Sequence, residues 1–274
     1  YFQITLKNLS HERRELDITS YAEWLLGFSP DEHREFHKLF IETVADEPRR
    51  AVFATKCLWG FADERGRHNN VDWPYTAFMA VSEPLKSFDC DKESFIGLYC
   101  NDDRPAAMQQ PQLARHRGRF GDAIAALQVS VNLQPGEAKT VVFTLGAAEN
   151  DREDAHDLIA RYTSVDACEQ AFAGVQKFWS RFIDAEQVET PDDALNFMTN
   201  IWLKYQAISC RIWGKSAFYQ VSAGYGFRDQ LQDSQIFLVG DPAYARKQML
   251  LHASQQFVEG DVLHWWFSIR GGGP

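Results

Sequence analysis

The chain has 274 residues, a formal net charge of −10 and a pI near 5.3, with 45% hydrophobic, 14% aromatic and 24% charged residues. That balance excludes a disordered, collagen-like or nucleic-acid-coating chain: an acidic surface repels phosphate backbones, so no nucleic-acid partner is expected and a bound anion would need a few local cations. There is no uninterrupted apolar run of the roughly 18 residues that would mark a membrane span, so no membrane segment is expected.

In the first half apolar residues alternate with polar ones, and turn residues recur at short intervals, the pattern of half-buried strands. Phe2, Ile4 and Leu6 share one face, a loop follows over Asn8-Leu9-Ser10-His11-Glu12, and Leu16, Ile18 and the stretch from Tyr21 to Leu26 continue as a second strand that pairs with the first as a hairpin. Further strands are expected at Ala51–Leu58, Tyr75–Val81 and Phe95–Tyr99. The clearest signal runs from Leu127 to Leu133, turns at Gln134-Pro135-Gly136-Glu137 and resumes from Thr140 to Leu145. Pro135 pre-sets φ there and Gly136 takes the positive φ of a type II turn. An antiparallel sandwich buries so many half-apolar strands.

At Ala147 the period changes from about two to about 3.6 residues, the helical repeat. Asn150 caps a helix that opens Asp151-Arg152-Glu153-Asp154, and Thr163 or Ser164 caps a second one reaching about Asp184, with Phe172, Val175, Phe178, Trp179 and Phe182 on one stripe. Thr190-Pro191-Asp192-Asp193 combines a capping hydroxyl, Pro at the first helical position and acids in the first turn. Leu195, Met198, Trp202, Tyr205 and Ser209 follow at helical spacing. Asp241-Pro242 starts another helix, which reaches about Phe257 and stops at Gly260. The expected class is therefore α+β and multidomain: a β-sandwich over 1–147, a helical linker over 148–189 and further helices over 190–274.

Cys57, Cys90, Cys100, Cys168 and Cys210 are odd in number and lack C-x-x-C spacing, so they read as buried small hydrophobes in a reducing compartment, and no metal site is expected. The chain opens Tyr1-Phe2-Gln3 with no signal-peptide pattern and closes on Gly271-Gly272-Gly273-Pro274, which reads as a piece of a longer protein. Arg115-His116-Arg117-Gly118-Arg119 is a basic patch among acidic neighbours, read as a solvated loop.

Two clusters carry candidate chemistry. Between Lys215 and Asp233 glycines and aromatics alternate, and then Arg228, Asp229, Gln230, Gln232 and Asp233 crowd together. Carboxylates and amides bond paired sugar hydroxyls, while an aromatic face such as that of Tyr219 covers the apolar side of a pyranose. The alternative is that Arg228 and Asp229 merely tie a loop to a helix start. In the second cluster, His264-Trp265-Trp266, adjacent tryptophans in an extended segment face opposite ways, one toward a core and one toward a cleft. His264 is a possible donor to a sugar or phosphate. Glu259 and Asp261 read as helix-end residues rather than a general acid and base.

The run Phe218-Tyr219-Gln220, Gly224-Tyr225-Gly226-Phe227-Arg228-Asp229-Gln230-Leu231-Gln232-Asp233, followed by Gln256-Phe257-Val258-Glu259-Gly260-Asp261-Val262 and His264-Trp265-Trp266, resembles the signature of glycoside hydrolase family ninety-four, the inverting glycoside phosphorylases. It is most similar to the β-1,2-glucan branch, the phosphorylase region of cyclic β-1,2-glucan synthases and 1,2-β-oligoglucan phosphorylases. The likeness extends from Ser20-Tyr21-Ala22-Glu23 through the Leu133–Glu137 turn. It implies a β-sandwich, a helical linker and the first helices of an (α/α)6 barrel. It also implies phosphorolysis of β-1,2-linked glucose chains to α-glucose 1-phosphate, with inorganic phosphate as co-substrate, no cofactor, and a cytoplasmic homodimer. The parent is either a stand-alone phosphorylase or a membrane-bound synthase whose glucan this region trims; a non-catalytic carbohydrate-binding fragment and a hydrolase are the rival classes.

By the same resemblance Asp229 grips hydroxyls of the glucose to be transferred and Arg228 orients it, while Tyr219, Gln232, Asp233, His264, Trp265 and Trp266 complete the sugar site. Lys215 falls near the family's phosphate-binding arginine. Ala223 stands where some members carry another arginine, which fits the β-1,2 branch. The family's general-acid aspartate is expected after Pro274, so no catalytic residue is assigned here, the fragment is expected to be inactive, and apolar helix faces are expected to stay exposed.

Overall fold

The structure is a computed structural model that describes residues 1–26, 38, 40–56, 73–119, 121–149, 152–215 and 224–267. The chain divides into two compact units, Tyr1–Ala171 and Phe172–Pro274. The expected cap Asn150, the following Asp151, and Cys57 and Leu58 lie outside the described residues.

The first unit is a sandwich of two antiparallel sheets. One has five strands: β1 (Phe2–Lys7), β8 (Ala138–Glu149), β5 (Tyr75–Val81), β4 (Ala51–Lys56) and β3 (Ile41–Asp46), in that spatial order. The other has three: β2 (Arg14–Glu23), β7 (Ala123–Leu133) and β6 (Ser87–Asp91). Alternation along the strands decides what each face buries. Val52, Ala54, Ala77, Met79, Val141 and Phe143 of the larger sheet meet Ala125, Leu127, Val129, Val131 and Leu133 of the smaller one in the main core. The intervening Ala51, Phe53, Phe78 and Ala80 point the other way, where α2 (Arg152–Tyr162) covers them with Ala155 and Ile159. Ile124 and Ala126, on the outer face of β7, are covered by Phe95 of α1 (Lys92–Ile96) and by Leu113. Strands covered on both faces read as nearly continuous apolar runs, as β5 does.

Three expectations for this unit are corrected. β1 and β2 do not form a hairpin: β1 pairs with β8 and β2 with β7, in different sheets. The 8–13 loop instead crosses between sheets beside the 134–137 turn. There Asn8 N–H donates to Glu137 O at 2.8 Å and Gly136 N–H to Asn8 O at 2.9 Å, and the Asn8 amide donates to Leu133 O at 3.1 Å. That turn has the expected geometry, with Gly136 at φ 78° and Glu137 N–H donating to Gln134 O at 3.0 Å. Phe95–Tyr99 is not a strand, because Asp91 caps a helix by accepting from Ser94 N–H at 2.7 Å, and β3 and β6 are strands the alternation did not mark. Cys90 and Cys168 are buried as expected, but Cys100 is exposed and Cys210 half-buried.

Helix α3 (Val165–Ile183) starts at Ser164, whose Oγ accepts from Ala167 N–H at 3.2 Å. Of its expected stripe, Phe182 is buried and Phe178 and Trp179 are half-buried, while Phe172 and Val175 stand exposed, before the helix reaches the packed part of the second unit. The core of this unit is Phe182, Ile208, Ile212, Phe237 and Ala245. A helical run follows over α4 (Asp193–Phe197), a π-type turn Met198–Trp202, α5 (Leu203–Tyr205) and a second π-type stretch Gln206–Trp213. The expected stripe is not the buried one: Leu195, Met198, Trp202 and Tyr205 are exposed, and Ile208 and Ile212 face the core. The cap is Asp192, whose Oδ1 accepts from Ala194 and Leu195 N–H at 2.9 and 3.1 Å, rather than Thr190, so Pro191 precedes the helix instead of opening it. Lys204 reaches back to the end of α3 and donates to Ile183 O at 2.9 Å, a cation on otherwise orphaned helix carbonyls.

α6 (Phe227–Asp233), α7 (Phe237–Gly240) and α8 (Pro242–Ala253) complete the described helices. Asp241 caps α8 as expected, accepting from Tyr244 N–H at 3.1 Å. The helix ends at Ala253 rather than near Phe257. Gly260, at φ 98°, instead closes a tight turn in which its N–H donates to Phe257 O at 3.0 Å, so Glu259 and Asp261 sit in a turn and not at a helix end. Among the described residues no helix is long and apolar enough to cross a membrane, and no group of His, Cys, Asp and Glu is arranged to hold a metal.

Candidate carbohydrate site

The two sequence clusters meet in space. β9 (Gly224–Gly226) and β10 (Trp265–Phe267) form an antiparallel ribbon with Trp265 opposite Gly226 and Trp266 opposite Tyr225. Phe227 N–H donates to His264 O at 3.0 Å and extends the pairing by one step. One face of the ribbon is a closed aromatic stack: Tyr225 lies on Trp266 with centroids 5.2 Å apart, and His252 of α8 meets Trp266 edge-on at 5.0 Å and Phe227 at 5.8 Å. Burial pushes the Tyr225 hydroxyl up and the His252 imidazole down, disfavouring the charged form of each. The His252 Nδ1 is 2.8 Å from Gln248 O.

The ribbon leads directly into α6 at Gly226. Its N–H donates to the Oε1 of Gln230, a buried amide, at 2.6 Å. A Cβ at residue 226 would lie 3.0 Å from that oxygen and 3.2 Å from Asp229 Oδ2, so a larger residue there would push both side chains back by a few tenths of an ångström. With the junction pinned, Asp229 falls in the first turn of α6, where a carboxylate suits the positive end of the helix. Its Oδ1 accepts from Arg228 Nε and Nη2 at 3.4 and 3.3 Å. Both side chains face solvent, Arg228 with 83% and Asp229 with 50% of its side-chain surface exposed.

The remaining candidates divide by position. Gln232 and His264 are exposed, and Trp265 is half-buried, edge-on to Phe267 at 5.0 Å. Asp233 accepts from Arg211 Nε at 2.6 Å, a tie between α6 and the preceding helical run. Trp266 is 3% exposed and belongs to the aromatic stack. Lys215 has a positive φ of 49° and holds its ammonium 5.1 Å from the centre of the Tyr225 ring. Tyr219 lies outside the described residues. Sequence reading passed over Gln230 as an anchor and His252 as part of the stack. Gln230 was visible in the amide-rich run, but nothing in the sequence around His252 marks it.

Both parts of the chain, the double-sheet sandwich and the helices that follow it, match domains of carbohydrate-active proteins. Residues 1–165 match the family described as "Glycosyl hydrolase 94, supersandwich domain" and residues 178–271 the "Glycosyl hydrolase 94 superfamily, catalytic domain", so the chain belongs to glycoside hydrolase family 94. It is 36% identical over 266 residues to the cyclic beta-(1,2)-glucan synthase NdvB of Rhizobium meliloti (strain 1021), which covers 96% of this chain and 9% of that protein. It is 24% identical to the N,N'-diacetylchitobiose phosphorylase of Vibrio furnissii, over 96% of this chain and 32% of that protein. The solabiose phosphorylase of Paenibacillus borealis is 25% identical, over 97% and 32%. The chain thus spans less than a third of the length of these relatives, down to about a tenth for the synthase.

Proposed function

We propose that the chain is the sandwich and opening catalytic segment of an inverting phosphorylase that acts on β-1,2-linked glucose chains and releases α-glucose 1-phosphate. The observation that carries this reading is the open Arg228–Asp229 step on a backbone clamped by Gln230. A carboxylate held by one oxygen and open on the other accepts hydrogen bonds from sugar hydroxyls, and a preorganised contact of this kind gains strength as charge develops in the transition state. Gln232, His264 and Trp265 extend the same sugar-binding surface, Asp233 and Trp266 support it from behind, and Lys215 supplies a point charge for phosphate.

In the proposed step a phosphate oxygen attacks the anomeric carbon of the terminal glucose from the face opposite the glycosidic oxygen. The carbon–oxygen bond breaks with its electrons passing to the leaving chain, and that oxygen takes a proton from one general acid. An inverting hydrolase needs a second carboxylate to activate water. Phosphate is already an anionic nucleophile, so one acid suffices, and no cofactor enters beyond phosphate as co-substrate. The general acid is assigned to no residue of this chain. The boundaries at 147 and 189, the (α/α)6 barrel, the homodimer and the cytoplasmic location belong to the same proposal. A second reading, trimming of glucan length within a cyclic glucan synthase, is favoured by the 36% identity to NdvB.

The test is product analysis of the intact enzyme carrying this chain, given β-1,2-glucooligosaccharides with and without inorganic phosphate. Glucose 1-phosphate formed only when phosphate is present supports the proposal. Free glucose formed at the same rate in both arms would replace it with a hydrolase.

A further inference from the structure

Behind the ribbon, α8 places a polar ring where packing alone favours an apolar one. His252 is fully buried, and three rings meet it edge-on: Trp266 at 5.0 Å, Phe227 at 5.8 Å and Tyr225 at 5.9 Å. Tyr225 and Phe227 flank Gly226, so the imidazole sits against the joint between β9 and α6, just ahead of Arg228 and Asp229. A phenylalanine would fill that space with no polar atom to satisfy. The imidazole instead buries Nε2 without a hydrogen bond of normal geometry among the described residues, and Gln248, one turn earlier on α8, does the same with Oε1. Buried polar atoms in that state lower stability, so the ring nitrogens need an account other than packing.

Two backbone carbonyls supply it. Nδ1 lies 2.8 Å from Gln248 O, and the backbones of Gln248 and Gly226 both favour a proton on the ring, against its burial. A carbonyl only accepts, so the ring donates wherever it bonds to either one. Gly226 is set up to receive that donor. Phe227 N–H bonds to His264 O, so by the alternation of an antiparallel ladder Gly226 turns both its polar groups away from β10. Its N–H goes to Gln230 Oε1 at 2.6 Å, and its carbonyl, at the N-cap of α6, has two lone pairs to offer. Gln230 thus holds residue 226 by its N–H, and the imidazole faces its carbonyl.

We propose that His252 is a positioning residue: its ring N–H, donated to the Gly226 carbonyl, fixes the start of α6 and with it the direction of the Arg228–Asp229 step. The consequence for turnover rests on the reading of that step as the grip on the transferred sugar; the tie itself does not. A carboxylate that must meet particular hydroxyls loses rate when its backbone shifts by a fraction of an ångström, even though the change lies behind the site.

The test is steady-state kinetics of the intact enzyme carrying this chain, with hydrogen exchange at the Phe227 amide as a readout that needs no activity. His252→Phe keeps the ring stack and removes both nitrogens. It should lower kcat about tenfold, the scale of one hydrogen bond, leave KM for phosphate within about twofold, and speed exchange at Phe227. His252→Gln and His252→Asn break the stack but place an amide donor near Nε2 and Nδ1 respectively. The better of the two should bring kcat back to within about threefold of the parent and slow the exchange again. A residue that only packs gives the reverse order, with His252→Phe the least impaired. Normal kcat in His252→Phe, or a His252→Phe enzyme no worse than both amide variants, would overturn the proposal. Asp229→Ala separates the two readings. If it turns over normally while His252→Phe still speeds exchange at Phe227, the tie stands and the sugar reading falls. If it loses turnover while His252→Phe leaves that exchange unchanged, the tie alone falls.

Discussion

In β5 every residue from Thr76 to Val81 is buried, whereas in the 193–213 helical run Leu195, Phe197, Leu203 and Trp213 all stand exposed. The sandwich closes its own core, with a helix covering each outer face, so its shape follows from burying apolar area on both sides of its strands. The helical unit has a small core and leans on individual polar ties: Lys204 on the end of α3, Arg211 on Asp233, Gln230 on Gly226, and Asp192 and Asp241 as caps. The candidate site thus sits in the unit whose geometry depends on a few specific hydrogen bonds, and the two units should fail in different ways.

The largest effect is expected from truncating a side chain buried on the outer face of β5. Phe78→Ala should cost about 3–5 kcal/mol, seen as a lower midpoint in denaturant unfolding of the sandwich; a loss within 1 kcal/mol of zero would contradict the packing described for that layer. A smaller, local effect is expected at the site. Gln230→Leu leaves the Gly226 N–H without its acceptor, at about 1–3 kcal/mol, and should speed hydrogen exchange at Tyr225 and Gly226 while β-strand amides of the sandwich keep their protection. Uniform change across both units would remove the distinction.

The smallest effect is in pH dependence. The His252 imidazole is held below its ordinary value of 6.5 by burial, so the unfolded chain binds a proton that the folded one does not, and stability of the helical unit falls as pH drops below about 6.5. Glu23 of the sandwich is held down at about 2, from 4.5, chiefly by hydrogen bonds from Lys38 and then Lys92. Its contribution is present above 4.5 and lost only as pH falls from there toward 2. Hydrogen exchange across an acid titration should therefore show the ribbon amides 224–226 loosening before those of β2, and the opposite order would contradict the account.

What the sequence made legible was local chemistry. Gln134-Pro135-Gly136-Glu137 carries its turn in its own φ preferences, and Ser164 and Asp241 carry their caps. Strand partners were not legible: β1 and β2 are neighbours in sequence, but the Asn8 amide and the 134–137 turn hold the crossing that sends them to different sheets. The apolar Phe95–Tyr99 stretch read as a strand because the helix-starting signal lay upstream, in Asp91. At the site, the arginine–carboxylate step and the two tryptophans were legible as separate clusters. Their union depends on Tyr225 pairing with Trp266 across a long interval of chain, and on His252, which reaches the stack from the middle of a helix with no pattern around it.

The central claim is that the open carboxylate of Asp229 holds the sugar being transferred. Its most direct test is Asp229→Ala in the intact enzyme, with glucose 1-phosphate release measured at saturating phosphate. The account expects turnover to fall at least ~100-fold, the scale of losing one positioned charged contact in a transition state, with the fold of both units unchanged; near-normal turnover would contradict it.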